Sequence, residues 1–194
     1  MPYDDTLLEA TYAADTLGFR VSNYVSPDST QETNRLRKAA EQGNAGAQNK
    51  LGFMYMRGEG LPEDDAQAVS WFRKAAEQGD VEAQHNLGGM YAMGIGVPED
   101  YAQATNWYRK AAEQGDANEQ VHVCLSYALG KGVPQDFVLA YAWCNLGASR
   151  KHDELQMGDV KLRDEVSRVL SATQRAEAQR LSSNWQKGQS IRRE

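Results

Sequence analysis

Apolar and small residues recur along the chain at helical spacing, and glycine and proline interrupt them at regular intervals. Residues 80–115 read DVEAQHNLGGMYAMGIGVPEDYAQATNWYRKAAEQG, in which Ala83 and Leu87 stand four residues apart on one helical face. The GIGVPED segment that follows cannot continue a helix, because it combines glycines with a proline. A second helix is predicted to begin after Asp100 as N-cap and to end at Gly115.

The same hairpin pattern returns along the chain with a period of 36 residues. The heptapeptide RKAAEQG begins at Arg37, Arg73 and Arg109. Three further markers keep the same step: Trp71, Trp107 and Trp143; Tyr55, Tyr91 and Tyr127; Pro62, Pro98 and Pro134. A single helical hairpin cannot bury its own apolar face, so neighbouring hairpins must stack on it. The sequence therefore predicts an all-α fold, a right-handed superhelical α-solenoid of stacked antiparallel helical hairpins.

The repeats divide a single solenoid domain, 1–194, into five segments. These are a degenerate N-terminal repeat at 1–43, full repeats at 44–79, 80–115 and 116–151, and C-terminal capping helices with a tail at 152–194. Within the C-terminal segment a helix is predicted in 152–170, and a second follows Ser171, where S-A-T-Q forms a capping box. Ala178, Leu181 and Trp185 form an apolar stripe on that second helix. The final KGQSIRRE is expected to be a frayed tail.

Three stretches carry a resemblance to a known repeat family. They read AQNKLGFMYMRGEGLPEDDAQAVSWFRKAAEQG from Ala47, AQHNLGGMYAMGIGVPEDYAQATNWYRKAAEQG from Ala83 and EQVHVCLSYALGKGVPQDFVLAYAWCNLGA from Glu119. This pattern resembles the Sel-one-like repeat (SLR) family, a relative of the tetratricopeptide repeats, whose units have about 34 residues. The resemblance covers residues 44–151. It implies an adaptor in bacterial signalling, envelope or secretion assemblies.

Composition and charge narrow the classes of function. The 194 residues are 41% hydrophobic and 25% charged, with a net charge of −6, as in soluble globular proteins. The acidic balance argues against nucleic acid as a partner, and the lack of an 18-residue apolar run argues against membrane insertion. The amino-terminal sequence does not have the pattern of a secretory signal. A cytoplasmic location is therefore expected, or a periplasmic or exported one if a signal peptide has been removed.

The sequence offers little for catalysis or metal binding. It contains no GxSxG elbow, glycine-rich phosphate loop, HExxH or CxxC pattern. His85 and His122 fall in adjacent first helices, one position out of register and with no third ligand evident. They are interpreted as solvated surface histidines. No catalytic residue, metal site or cofactor is predicted, and the chain is expected not to be an enzyme.

Cys124 and Cys144 stand where earlier repeats have a glycine and an aromatic residue. The corresponding pairs one and two periods earlier are Gly88 with Tyr108 and Gly52 with Phe72. The two cysteines are therefore predicted to face each other from the two helices of one hairpin. Two buried thiols, in a reducing compartment, are the favoured interpretation. The alternative is a disulfide, which needs Cα atoms within about 7 Å and an oxidising compartment.

First helices of stacked hairpins are expected to line the concave face of the solenoid, and their outward positions differ between repeats. This variation marks them as candidate partner contacts, which we call the first-helix strip. Its members are Asn49, Lys50, Phe53, Arg57, His85, Asn86, Met93, Val121, His122 and Leu125. Their apolar members would form an exposed patch, as at many interaction sites. The alternative is that capping helices or tighter stacking bury the strip. The charged residues of RKAAEQG are interpreted as a solvated face.

These patterns favour a non-enzymatic protein–protein interaction module that binds a peptide or protein along the concave surface. An alternative is an exported hydrolase or β-lactam-binding protein like cysteine-rich relatives of the resembled family, although no nucleophile–base pair is evident. A further alternative is a structural subunit that contacts its partners through its ends.

Overall fold

The computed structural model describes residues 30–150 and 156–193, which form helices joined by turns. The helices are α1 (Thr30–Glu41), α2 (Ala45–Arg57), α3 (Asp65–Glu77), α4 (Val81–Met93), α5 (Tyr101–Glu113), α6 (Ala117–Leu129), α7 (Phe137–Arg150), α8 (Gln156–Arg168) and α9 (Ala172–Ser183). The predicted all-α class is confirmed. Residues 1–29 of the degenerate N-terminal repeat and the start of the helix predicted within 152–170 lie outside the described residues.

One compact unit contains the described residues up to Trp107. In it α1 packs on α2, α2 on α3 and α3 on α4. The core is built from the apolar positions of the repeat, with Leu51 and Met54 in one cluster and Phe72 and Leu87 in the next. The helical periodicity of the sequence thus places the side chains that hold each hairpin on its neighbour.

The second unit begins at Tyr108, within α5, and includes the last described residues. Here α6 packs on α7, and both α8 and α9 pack on α7 as well. Trp143, Cys124 and Leu125 are fully buried in this unit. The predicted apolar stripe points inward. On α9, Ala178 is buried and Leu181 half-buried, and Trp185, which lies beyond the end of that helix, is buried as well. The predicted capping box between Ser171 and Gln174 is present.

The ends of the repeat helices carry the same caps in successive repeats. Asn44, Asp80 and Asp116 accept backbone hydrogen bonds at the starts of the first helices. Asp100, the predicted N-cap of α5, accepts from the amides of Ala102 and Gln103 at 2.9 and 3.0 Å. These oxygen acceptors satisfy amide groups that the first turn of a helix leaves without partners.

The second glycine of the GIGVPED segment, Gly96, allows two neighbouring hairpins to approach closely. Gly96 has φ +66°, and a Cβ built on it would lie 2.5 Å from the backbone oxygen of Asp65. Both the left-handed backbone and the contact exclude a larger residue without rearrangement. The turn is therefore a packing element, in agreement with the prediction that the GIGVPED segment interrupts the helix.

A glutamine that sequence reasoning missed repeats at the junction between hairpins. The side-chain amides of Gln48, Gln84 and Gln120 donate to the carbonyl oxygens of Ala40, Ala76 and Ala112 at 2.9, 3.0 and 3.2 Å, respectively. Each bond adds a side-chain donor to a carbonyl near the end of the preceding second helix, which also accepts from the glycine amide that follows that helix. The recurrence of this glutamine at the 36-residue period is the signal that could have found it.

The charged residues of RKAAEQG do not all form a solvated face. Lys74, Glu77 and Gln78 are exposed, whereas Arg73 is half-buried. The Arg73 Nη2 atom donates a 2.6 Å hydrogen bond to the Tyr91 hydroxyl, and its guanidinium lies 5.9 Å from the centre of that ring. The interpretation is therefore wrong for this arginine, which ties α3 to α4.

Candidate functional site

The structure buries most of the first-helix strip. Lys50 and Arg57 are exposed, and Met93 is half-buried. The buried members are Asn49, Phe53, His85, Asn86, Val121, His122 and Leu125. The expectation of an exposed apolar patch is therefore wrong. The alternative that the strip is buried describes the structure better.

On α2 the strip places an aromatic side chain between two exposed cations. Phe53 is only 2% exposed and meets the ring of Phe72 edge-on, with ring centroids 5.2 Å apart. The Arg57 guanidinium lies 5.7 Å from the Phe53 ring centre. Lys50 and Arg57 are seven residues apart, which is about two helical turns. Phe53 is thus a core residue, and Lys50 and Arg57 are the exposed members of the strip on α2.

A chain of amide groups links α2 to α4. The Asn49 Nδ2 atom donates to the Glu82 carboxylate at 2.9 Å, and the Asn86 Nδ2 atom lies 3.4 Å from the Asn49 Oδ1 atom. Asn86 is fully buried. Buried amides hold their neighbours in a defined register, since losing a partner in the protein interior costs free energy. Asn49 and Asn86 therefore position α2 and α4, and with them two neighbouring hairpins, relative to each other.

His122 is a packed core residue, contrary to its interpretation as a solvated histidine. Its ring stacks on the buried ring of Tyr108, with centroids 4.6 Å apart and planes at 24°. Its Nδ1 atom lies 3.1 Å from the Asn118 carbonyl oxygen and 3.5 Å from a carboxylate oxygen of the buried Glu119. His85 is buried as well. Sequence spacing alone could not reveal the aromatic ring that covers His122.

Glu119, His122 and Ser126 share a face of α6 and bear a carboxylate, an imidazole and a hydroxyl. The Ser126 hydroxyl, however, donates to the backbone carbonyl of His122 at 3.0 Å. A nucleophilic serine needs its hydroxyl directed at the base and open to a substrate. All three residues are buried. This face is organised as a polar region of the core.

Cys124 and Cys144 are joined by a disulfide, with their Cα atoms 5.2 Å apart. The preferred interpretation as two separate thiols is therefore wrong. The 36-residue period pairs their positions with Gly52 and Phe72, and these two residues are also in contact. A Cβ built on Gly52 would lie 2.7 Å from the Phe72 ring. In the α2–α3 hairpin, the absence of a side chain at Gly52 leaves space for the Phe72 ring. At the equivalent positions of the α6–α7 hairpin, the two cysteines are joined by the disulfide.

The remaining α6 members of the strip pack within the second unit. A Cβ built on Gly147 of α7 would lie 2.8 Å from the Cγ2 atom of Val121, so α6 and α7 approach closely there. Leu125 is fully buried. A helix that is buried on most of its circumference must be covered on more than one side.

None of the helices among the described residues is long and apolar enough to cross a membrane.

Comparison with known proteins agrees with this repeat geometry. A model of the Sel1 repeat matches residues 36–44, 45–80, 81–116 and 120–152. A solved protective antigen of uropathogenic Escherichia coli strains, with an SLR fold, is 35% identical at a TM-score of 0.69 and covers 92% of this chain. A solved Sel1 repeat protein from Oxalobacter formigenes is 35% identical at a TM-score of 0.62, and the alignment covers 69% of this chain and 98% of that one. None of the curated proteins matches the chain.

The chain spans 37% of the length of the Escherichia coli antigen. The matched repeats cover more than half of the present chain, and they coincide with the hairpins formed by α2 to α7. The predicted α-solenoid class is therefore confirmed. Proteins built from such repeats commonly serve as interaction modules. The chain belongs to the Sel1 repeat family.

Proposed function

We propose that the chain is a non-enzymatic adaptor that binds an acidic segment of a partner protein through Lys50 and Arg57. The observation that carries this proposal is the exposure of both cations on one face of α2, on either side of the buried Phe53. They belong to a face whose residues vary between repeats, while the core positions around it recur. Repeat proteins use variable positions that are also exposed for recognition, because the packing of the scaffold does not depend on them.

The half-buried Met93 adds an apolar contact in the next first helix, α4. Methionine is flexible and polarisable, and it suits surfaces that adapt to a partner. The Arg57 Nη1 atom lies 3.8 Å from a Glu59 carboxylate oxygen. A partly exposed ion pair of this length contributes little free energy, so a partner's carboxylate can replace it.

The test compares capture of a partner by two charge-reversal variants. Lys50→Glu with Arg57→Glu removes the proposed site. Lys38→Glu with Lys161→Glu makes the same change in net charge at exposed lysines elsewhere. Purified tagged chains are incubated with lysate of the source organism, and captured proteins are quantified by mass spectrometry. We expect one partner to be depleted at least ten-fold by the first variant and retained by the control.

Equal capture by both variants would refute the role of the two cations. Phe53→Ala and Leu125→Ala are unsuitable for this purpose, because both side chains are buried and their loss would destabilise the repeats. Thermal unfolding of all variants is measured in parallel. A surface charge change should leave the midpoint close to that of the unchanged chain.

The adaptor is further proposed to act in an oxidising compartment, such as the periplasm or the cell exterior. The disulfide between Cys124 and Cys144 supports this location, because such bonds persist where thiols are oxidised and are rare in the cytosol of mesophiles. Trapping of free thiols in intact cells tests it. Oxidised cysteines after rapid acid quenching are expected, and two free thiols in the native cellular protein would overturn this location.

A further inference from the structure

The last described segment, residues 185–193, is docked against helices of the second unit. We call it the tail. The Gly188 amide donates to the Glu113 carbonyl oxygen at 2.7 Å, and the Ser190 hydroxyl donates to the Glu113 carboxylate. The prediction of a frayed tail is therefore wrong. The tail holds the end of α5 through its backbone and a side chain.

Two apolar side chains anchor the tail. Ile191 is 7% exposed and Trp185 is 9% exposed. The Trp185 ring lies against that of Trp143 in α7, with centroids 6.5 Å apart. Its indole nitrogen donates to the Gln189 carbonyl oxygen at 2.7 Å, which closes a turn within the tail. Between these anchors the chain from 186 to 189 is exposed.

A pair of carboxylates receives the basic end of the tail. The Arg193 guanidinium donates to both oxygens of Glu177 in α9, at 2.9 and 3.2 Å. It also donates to the Asp136 carboxylate, which caps α7, at 3.1 and 3.3 Å. With Glu113 these carboxylates give the tail-binding surface a negative charge that matches the positive charge of the tail.

The contacts of the tail can be exchanged at low cost. The Arg193 side chain is 38% exposed and its two carboxylate partners are 22% and 30% exposed, so solvent weakens both ion pairs. The Gly188 amide holds the tail backbone to the end of α5. Apart from its two apolar anchors the tail is held by exposed contacts, and segments of this kind open at lower free energy than the core does.

We propose that the tail is an internal ligand on a peptide-binding surface formed by α5, α7 and α9. The external ligand is a basic, extended peptide of a partner protein, with an aliphatic residue two positions before an arginine, as in Ile191 and Arg193. It binds by displacing the tail, which therefore acts as a competitor built into the chain. This surface shares no residue with the Lys50 and Arg57 site, and the charge of its ligand is opposite, so either proposal can fail without the other.

The experiment uses the full chain and a fluorescent peptide with the sequence of residues 185–193. Ile191→Asp with Arg193→Glu releases the tail without altering the surface. Fluorescence anisotropy should show at least ten-fold tighter peptide binding to this released variant than to the unchanged chain. A peptide carrying Glu in place of Arg193 should bind at least ten-fold more weakly. Equal binding of both peptides, or equal binding to both chains, would overturn the proposal.

Two surface variants in the released chain locate the bound peptide. Glu177→Lys removes a carboxylate that receives the arginine, whereas Asp164→Lys reverses an exposed carboxylate on α8. We expect the first to abolish binding and the second to leave it unchanged. Similar losses in both would show non-specific attraction and would contradict the proposed surface.

Hydrogen exchange of the unchanged chain provides a measurement that does not depend on folding of the variants. The Gly188 amide should exchange slowly in the free chain, because it donates to the Glu113 carbonyl. Saturating native peptide should accelerate this exchange, and the peptide with Glu in place of Arg193 should not. Unchanged exchange with the native peptide would mean that the tail is a fixed structural cap.

Discussion

Cys124 and Cys144 are joined by a disulfide that ties α6 to α7, with 5.2 Å between their Cα atoms. Two periods earlier the equivalent residues, Gly52 and Phe72, hold α2 against α3 by close packing of a ring on a glycine. The same contact between the two helices of a hairpin is therefore made by ring packing in one repeat and by a covalent bond in another. The disulfide stabilises the fold by reducing the conformational entropy of the unfolded chain. The packed ring stabilises it by removing apolar surface area from water.

Replacing both cysteines by alanine should destabilise the chain by about 3 kcal/mol, because the bond closes a loop with a sequence separation of 20. Cys124→Gly with Cys144→Phe copies the earlier pair and should recover some of this loss. Urea unfolding under oxidising conditions measures both. Dithiothreitol should lower the stability of the unchanged chain and leave the alanine variant unaffected. If it affects neither, the bond does not contribute to stability.

Gly96→Ala should destabilise the chain much more than Gly43→Ala does. Both glycines have positive φ, so each substitution costs about 1–2 kcal/mol for the left-handed backbone. Only at Gly96 would the new methyl group meet a backbone oxygen, whereas at Gly43 nothing lies within 4 Å. The clash should add about 1–3 kcal/mol. Equal shifts in the thermal midpoint would argue against close approach at the turn.

Gln84→Ala should cost about 0.5–1.5 kcal/mol, because it removes the side-chain hydrogen bond to the Ala76 carbonyl, which still accepts from the Gly79 amide. Gln67→Ala removes an exposed glutamine in α3 and is the matched control. Its cost should be near zero, since alanine is the better helix former. Chemical unfolding of both variants checks the difference. If Gln84→Ala unfolds at the same denaturant concentration as the unchanged chain, apolar packing alone stabilises the junction between the two hairpins.

Salt should loosen the tail selectively. Raising sodium chloride to about 1 M shortens the Debye length to about 3 Å, and the partly exposed ion pairs of Arg193 are open to this screening. Exchange of the Gly188 amide should accelerate, while that of the Ala140 amide, bonded to the Asp136 carbonyl within the start of α7, should not. Parallel acceleration of both amides would indicate general destabilisation instead.

The helices and their ends could be predicted from the sequence because the determinants are local. Asp100 and Ser171 are recognisable as N-caps from their neighbours, and both accept the expected backbone hydrogen bonds. A cap depends on residues within one turn of itself. The family resemblance is equally accessible, since a 36-residue period is visible in the letters.

The candidate site was less predictable, because exposure depends on what packs against a helix. Variation between repeats at Asn49 and His122 suggests a solvent-facing surface when only the sequence is considered. The structure instead gives each side chain its own partners. Asn49 contacts Glu82 and the buried Asn86, and His122 stacks on the buried Tyr108. Buried positions can vary when their neighbours vary with them, and one sequence does not identify those neighbours.

By itself the sequence determined the repeat period, the helix type and the caps, because hydrogen bonds and turn conformations act over a few residues. Only the tertiary structure decided that the first helices are buried on most sides, that Cys124 bonds to Cys144 and that Arg193 reaches Asp136. These contacts join residues far apart in the chain. Their formation depends on how the hairpins pack, and that geometry is set by all the side chains together.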